Sequence, residues 1–253
     1  MIPIKTKKEI EAMRESCALA AKVLIETAEQ VKPGIMTKDL EQFAAERIKA
    51  YGAKSAFLGY RGYPNNICIS VNEEVVHGLA GKRKLKFGDI VSLDVGVLYN
   101  GFIGDTAKTV PAGGCDIDVQ KLLIVTEAAL YEGIKQAVPG NKVKDISRAI
   151  QTTVEKNGFS VVREFVGHGV GRKLHEEPQI PNYVDDGDSP ELKPGMTLAI
   201  EPMINMGKPD VVILKDCWTV VTKDGKPSAH FEHTVLVTEN EPEILTCLNQ
   251  TVL

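Results

Sequence analysis

Two aspartates, Asp94 and Asp105, sit within the apolar stretch SLDVGVLYNGFIGDTAKTV, residues 92–110, where their type and spacing suit metal chemistry. Asn100-Gly101 marks a two-residue type I′ hairpin turn, because both residues tolerate positive φ. With that turn Tyr99 faces Phe102, Asp94 faces Ala107 and Asp105 faces Gly96. The two carboxylates then share one face as diagonal neighbours, roughly 7 to 8 Å apart at the backbone. Like charges in strands this apolar resist burial unless positive charge lies between them, so a cation is the expected companion. The competing expectation is a hairpin edge with two solvated carboxylates.

A repeat strengthens the cation reading. PGIMTKDL from Pro33 matches PGNKVKDI from Pro139 at an offset of 106 residues, which also carries Tyr51-Gly52 onto Asn157-Gly158. LKFGDIVSLDVG from Leu85 matches LKPGMTLAIEP from Leu192, and there Asp94 and Glu201 are equivalent at an offset of 107. In both strands the carboxylate face is small or polar (Ser92; Thr197, Ala199) and the other is bulky (Val91, Leu93; Leu198, Ile200). The second half supplies its own turn at Asp224-Gly225 and a returning strand, AHFEHTVLVT, with Glu232 in its middle. Four carboxylates would meet near a pseudo-twofold axis, and that arrangement is prohibitively costly without metal.

Histidine is scarce: His77, His168, His175, His230 and His233 all fall near these strands or in GHGVGRKLHEEP. Gly167, Gly169 and Gly171 let the backbone turn tightly and bring His168 against a ligand. One nitrogen among mainly oxygen donors suits manganese, iron(II), cobalt or zinc, and not a thiolate-bound structural zinc.

The surrounding elements must hold these groups in place. Thr6 and Glu9 form a capping box that opens a helix running to Lys32-Pro33-Gly34, and a second helix spans about Thr37 to Tyr51 before Gly52. A third begins near Asp118 and runs into KQAVPG. At 253 residues with 43% hydrophobic content the chain can bury a full core, and a net charge of −4 argues against a protein built around nucleic acid. Five scattered cysteines without a CxxC pair indicate neither a disulfide framework nor a zinc ribbon, and fit a reduced cytoplasm. The N-terminal stretch has no apolar signal core, and no run approaches a membrane span.

VNEEVVHGL, DVGVLYNGFIGD, GHGVGRKLHEEP, AIEPM and FEHTVLV, in this order, resemble type I methionine aminopeptidases of the bacterial kind, from the first helix to about residue 245. The resemblance implies an α/β (α+β) pita-bread fold, with two pseudo-symmetric halves, a curved antiparallel sheet and outer helices. It implies one catalytic domain over residues 1–253, with halves of about 1–110 and 111–245. It also implies two divalent ions (cobalt, manganese, iron(II), zinc or nickel): Asp94 and Asp105 on one, His168 and Glu201 on the other, with Asp105 and Glu232 bridging. Such ions would lower the pKa of a shared water and polarise a scissile carbonyl. Glu201 would act as general base, His175 as oxyanion donor, and His77 near the scissile nitrogen.

By the same resemblance Tyr60, Tyr63, Cys68, Met203 and Trp218 form the methionine slot, with His77 and His175 also touching substrate. Strand alternation puts Met203 on the face of Glu201. Asn72, Glu74 and Ser228 match a monovalent-cation position. The expected substrate is the N-terminal methionine of nascent polypeptides, with a small second residue preferred, handled by a cytoplasmic monomer without DNA or membrane partners. Lys82, Arg83, Lys84 and Lys86, with Lys5, Lys7 and Lys8, are candidates for transient ribosome contact. Leu174, Arg61, Phe57 and His230 depart from the usual family residues. The alternatives are a proline-specific aminopeptidase or prolidase, and a binding protein on the same fold that has lost its metals. Only 33 residues separate His168 from Glu201, which argues against the type II enzymes.

Overall fold

A computed structural model describes residues 2–187 and 189–248; Met1, Asp188 and residues 249–253 of the expected single domain lie outside the described residues. The Thr6 hydroxyl accepts the Glu9 N–H while the Glu9 carboxylate accepts the Thr6 N–H at 2.9 Å, and this box starts helix α1, Lys7–Ala28. Helix α2 covers Thr37–Ala50 and ends before Gly52, whose φ of 70° lets the chain turn back. Helices α3, Ile117–Ile134, and α4, Val143–Lys156, follow in the same order in the second part of the chain. The equivalence extends to detail: isolated antiparallel bridges join Met36 to Lys84 and Lys142 to Glu191, each just ahead of a helix.

A nine-stranded antiparallel sheet packs against these helix pairs. Its main path runs Lys54–Ser55, Ile90–Tyr99, Phe102–Pro111, Glu232–Leu236, Thr197–Ile200, Gly167–Gly169 and Glu176–Ile180. Cys68–Val71 joins at Ile90–Tyr99, and Glu243–Ile244 at Glu232–Leu236. The hairpin closes at Asn100-Gly101 in the register its turn predicts: Tyr99 pairs with Phe102, Asp94 with Ala107 and Gly96 with Asp105. Both turn residues have positive φ, 48° and 79°.

One face of the sheet meets the helices and the other is left for chemistry. Val91, Leu93, Val95 and Val97 alternate away from Asp94 and are fully buried with Leu24, Leu40 and Ala44 of α1 and α2. Leu198, Ile200 and Val235 likewise join Leu130, Ile146 and Ile150 of α3 and α4. Period-two alternation therefore assigns the bulky residues to the core and the carboxylates to the opposite face.

Two expected strands are interrupted. The chain leaves the sheet at Glu201-Pro202, so Met203–Asn205 pairs instead with Ser228–His230 and Ser160–Val161 in a separate three-stranded sheet. AHFEHTVLVT breaks at Phe231, between Ser228–His230 and Glu232–Leu236. Pro202 has no N–H to give to a ladder, a physical reason for the first break. Simple alternation from Glu201 to Met203 therefore does not apply.

Helix α1 lies very close to the hairpin because Gly104 has no side chain. A Cβ there would stand 2.5 Å from the Cys17 Cα and 2.6 Å from its N, backbone that cannot swing away. Gly104→Ala should destabilise the fold by about 1 to 3 kcal/mol through overpacking, lowering the melting temperature by roughly 2 to 12 °C. An unchanged transition in a calorimetric scan would show that α1 can withdraw without loss.

Candidate active site

Side chains on the helix-free face are arranged in rows. Asp94 pairs with Ala107, which pairs on its other side with Glu232, so a small residue separates two carboxylates. Thr234 donates its hydroxyl to the Asp105 carbonyl at 2.7 Å and pairs with Ala199, which in turn pairs with His168. Alanine at 107 and 199 keeps the middle of each row low, and the charged groups lean over it. Asp105 and Glu232 are only 3% and 2% exposed.

Oδ1 of Asp94, Oδ1 of Asp105 and Oε1 of Glu232 are buried without a hydrogen-bond partner. Burial raises the carboxyl pKa of Asp94, and burial together with the neighbouring acids drives those of Asp105, Glu201 and Glu232 well above the ordinary range. Such a cluster is stable only if protonated or if it shares a cation.

His168 stands against this cluster. Its Nδ1 lies 2.9 Å from the Gly169 carbonyl, which can only accept, so the ring donates there. Burial, followed by the charge of His175, lowers its pKa to about 3, so the ring is neutral and Nε2 carries a lone pair. That lone pair faces Glu201 Oε1 at 3.3 Å and Asp105 Oδ2 at 4.0 Å. A lone pair aimed at carboxylate oxygens is satisfied by an acid proton on Glu201 or by a cation held among all of them, and the backbone bond to Nδ1 is the outer support usual for a metal-ligating imidazole. Ligand atoms of Asp105, His168 and Glu232 lie within 4.8 Å of one another. The donors therefore fit divalent metal, with Asp94 and Glu201 beside this group in the same cleft.

The cleft encloses about 280 Å³ and reaches all of the expected substrate residues: Tyr60, Tyr63, Cys68, His77, His175, Met203 and Trp218. Trp218 meets Tyr63 edge-on at 5.1 Å, and the Tyr63 hydroxyl donates to the Gly78 carbonyl at 2.9 Å, which fixes this wall. Met203, displaced into the smaller sheet, still lines the cleft and is 1% exposed. Tyr60 Oη lies 2.8 Å from His175 Nδ1, and the His175 ring stacks obliquely on His168 with centroids 4.2 Å apart. Burial lowers the His175 pKa, with Arg61 adding to the effect. His77, with φ 59°, meets Phe165 edge-on at 5.4 Å, and burial lowers its pKa to about 4.

The departures also cluster here. Phe57 lies over Gly96, whose missing side chain makes room for the ring, and Leu174 is buried in the cleft wall. Arg61 stands at the mouth over the Tyr60 ring at 5.4 Å. His230 is 2% exposed, and its Nε2, without a hydrogen bond, lies 3.7 Å from Glu201 Oε2. Glu201 therefore has one buried imidazole beyond each oxygen.

Asn182, absent from the sequence reading, donates Nδ2 to the Glu201 carbonyl at 3.1 Å and holds the chain where it leaves the sheet. Its position, 19 residues before Glu201, carries no local signal. Asn72, Glu74 and Ser228 do come near one another: the Ser228 N–H donates to the Asn72 carbonyl at 2.9 Å, and the Val71 N–H to Glu74 Oε2 at 2.8 Å. Arg83 donates to the other Glu74 oxygen at 2.9 Å.

The family model of metallopeptidase family M24 matches residues 11–239. The chain is similar to methionine aminopeptidase 1 of Bacillus subtilis, 54% identical over 97% of this chain and 99% of that protein. It is 48% identical to the methionine aminopeptidase of Escherichia coli, over 97% of this chain and 94% of that one. The crystal structure of a methionine aminopeptidase from Thermotoga maritima superposes with a TM-score of 0.95 at 51% identity, covering 97% of this chain and 99% of that chain. A prolidase from Pyrococcus furiosus gives a TM-score of 0.79 at 25% identity, and the match covers 98% of this chain but 66% of the prolidase.

The electrostatics give a testable pH dependence. A carboxyl whose folded-state pKa is raised keeps its proton where the unfolded chain has released it, so its stabilising contribution falls as pH rises. The buried histidines, with lowered pKa values, act in the opposite direction, but their contribution is complete above about pH 6.5. The metal-free protein should therefore melt at progressively lower temperature from about pH 6.5 to 8.5, and a saturating divalent transition metal should abolish that slope. A flat metal-free profile in differential scanning fluorimetry would contradict the shared-cation account.

Proposed function

The chain belongs to metallopeptidase family M24, and from that premise we propose that it removes the N-terminal methionine from newly made polypeptides by metal-dependent hydrolysis. The observation that carries this reading is the His168 Nε2 facing buried carboxylates in a cleft also lined by Tyr60, Tyr63, Cys68, Met203 and Trp218. The pita-bread architecture of the relatives accords with it, as does their near full-length match.

In this proposal Asp94, Asp105, His168, Glu201 and Glu232 would together hold two divalent ions. When bound, the pair supplies positive charge that makes a water nucleophilic near neutral pH and polarises the scissile carbonyl. Glu201 accepts the proton of the attacking water and returns it to the leaving amine. His175 works as a neutral donor: with the Tyr60 hydroxyl donating to Nδ1, the ring proton resides on Nε2, available to the oxygen that gains charge. His77 is neutral near pH 7 and stands by the scissile nitrogen. Tyr60, Tyr63, Cys68, Met203 and Trp218 offer sulfur and aromatic surface to an unbranched thioether.

Further parts of the reading are a small second residue, a monovalent cation at Asn72, Glu74 and Ser228, and action as a monomer. Cys17, Cys68, Cys115 and Cys217 are free thiols, in keeping with a cytoplasmic setting, and no described helix is long and apolar enough to cross a membrane. Transient ribosome contact would fall to Lys82, Arg83, Lys84 and Lys86, with Lys7 and Lys8, all exposed. Lys5, one of the candidates for that contact, is instead buried against Glu176.

Met-Ala-Ser should be hydrolysed, with Leu-Ala-Ser, Pro-Ala-Ser and Met-Lys-Ser poor and N-acetyl-Met-Ala-Ser untouched, when each is assayed with manganese, iron(II), cobalt and zinc in turn. Faster release of proline than of methionine would move the chain to the prolidase alternative. His175→Ala should retain its metal on elemental analysis while turnover falls on the order of a hundredfold, the usual effect of removing one oxyanion donor. Metal loss in that variant would instead make His175 a ligand.

A further inference from the structure

We propose that the buried ion pair between Lys5 and Glu176 positions His175, fastening the N-terminal segment to the loop that presents this histidine to the cleft. Lys5 Nζ lies 2.7 Å from Glu176 Oε2, and the two side chains are only 5% and 9% exposed. The second carboxylate oxygen accepts the Lys173 N–H at 3.2 Å. Glu176, the residue after His175, is thus gripped at one oxygen by its own loop and at the other by a residue 171 positions away. The loop is shaped around this pair: a Cβ on Gly171 would stand 2.5 Å from Lys5 Cε and 2.8 Å from Glu176 Oε1.

Both ends of the grip are fixed to the fold. The Ile103 N–H donates to the Gly171 carbonyl at 2.8 Å, which ties the loop to the hairpin carrying Asp105. The Lys5 N–H donates to the Gly195 carbonyl at 2.8 Å, which ties the N-terminal segment to the turn before Thr197–Ile200. Pro3, two residues earlier, lines a groove together with His168 and His175.

His175 stands at the lip of the cleft, partly exposed, with its ring against those of Tyr60 and His168. Its ring is set by the Tyr60 contact and by the backbone that Glu176 fixes. A buried lysine–glutamate pair confers little net stability over apolar side chains of similar size, because both ions lose their hydration. What it does supply is direction: two charge-assisted contacts fix the carboxylate, and with it the adjacent residue, more tightly than apolar packing would. An oxyanion donor depends on such placement, since an error of about 1 Å can cost on the order of a hundredfold in rate.

The inference rests on the reading of His175 as oxyanion donor, and the test separates the two. Lys5→Met/Glu176→Leu removes both charges and strands neither. With Met-Ala-Ser as substrate, it should keep the parent KM and melting temperature while kcat falls roughly ten- to a hundredfold. Lys5→Arg, which preserves the pair, should retain most of kcat. In a His175→Ala background the double substitution should cost nothing further, because residues acting through one group are not additive. Parent kcat in the double variant, or an equal additional loss on top of His175→Ala, would overturn the positioning role. Parent turnover in His175→Ala alone would overturn the oxyanion reading instead. If the double variant folds poorly, Glu176→Gln decides: it keeps the shape and the Lys173 contact, should lose several-fold in kcat at constant KM, and a parent value counts against the pair.

Discussion

Four carboxylates and an imidazole lone pair converge where water is largely excluded, and without positive charge between them that convergence is unfavourable. Most of the architecture serves to enforce it. Helices cover the bulky face of the sheet, so the acidic face is the one left to form a cleft. Alanines at 107 and 199 leave space above the strands, and Gly104 and Gly96 bring α1 and Phe57 tightly against them. No single contact forces the acids together; the register of five strands does, and the register is held by the cores behind it.

The same burial that makes the acids costly also sets the histidines. His77, His168 and His175 are all pushed toward the neutral form, chiefly by loss of hydration. A neutral imidazole can offer a lone pair on one nitrogen and a proton on the other, and which it offers depends on the partner of the first. For His168 the Gly169 carbonyl can only accept, so Nδ1 donates and Nε2 keeps its lone pair; for His175 it is the Tyr60 hydroxyl that meets Nδ1, and the proposed function has it donate so that Nε2 carries the proton.

The parts of this site that follow local rules were legible in the sequence. Asn100-Gly101 fixed the pairing of Asp94 with Ala107 because a two-residue turn admits one register, and the internal repeat led from Asp94 to Glu201. Glu232 was readable as an acid amid apolar residues on a returning strand. Other features depend on contacts between distant residues. The break at Glu201-Pro202 sends Met203 into another sheet, and Asn182 supports Glu201 from across a loop. Lys5 reads in sequence as one of several exposed lysines near the N-terminus, yet it is buried against a glutamate that only the fold brings near.

The seam between Phe102–Pro111 and Glu232–Leu236 has a consequence for how the molecule comes into being. Its crossing contacts, Thr234 to Asp105, Thr106 to Glu232 and Thr109 to His230, join residues 129, 126 and 121 positions apart. Closing chain segments of that length carries a large entropic penalty that is recovered only once both sides are ordered, which makes contacts of this kind late events in folding. Asp94 and Asp105 lie on one side of the seam and Glu201 and Glu232 on the other, so the four acids come together only when this seam closes. Neither side of the seam by itself holds more than two of them.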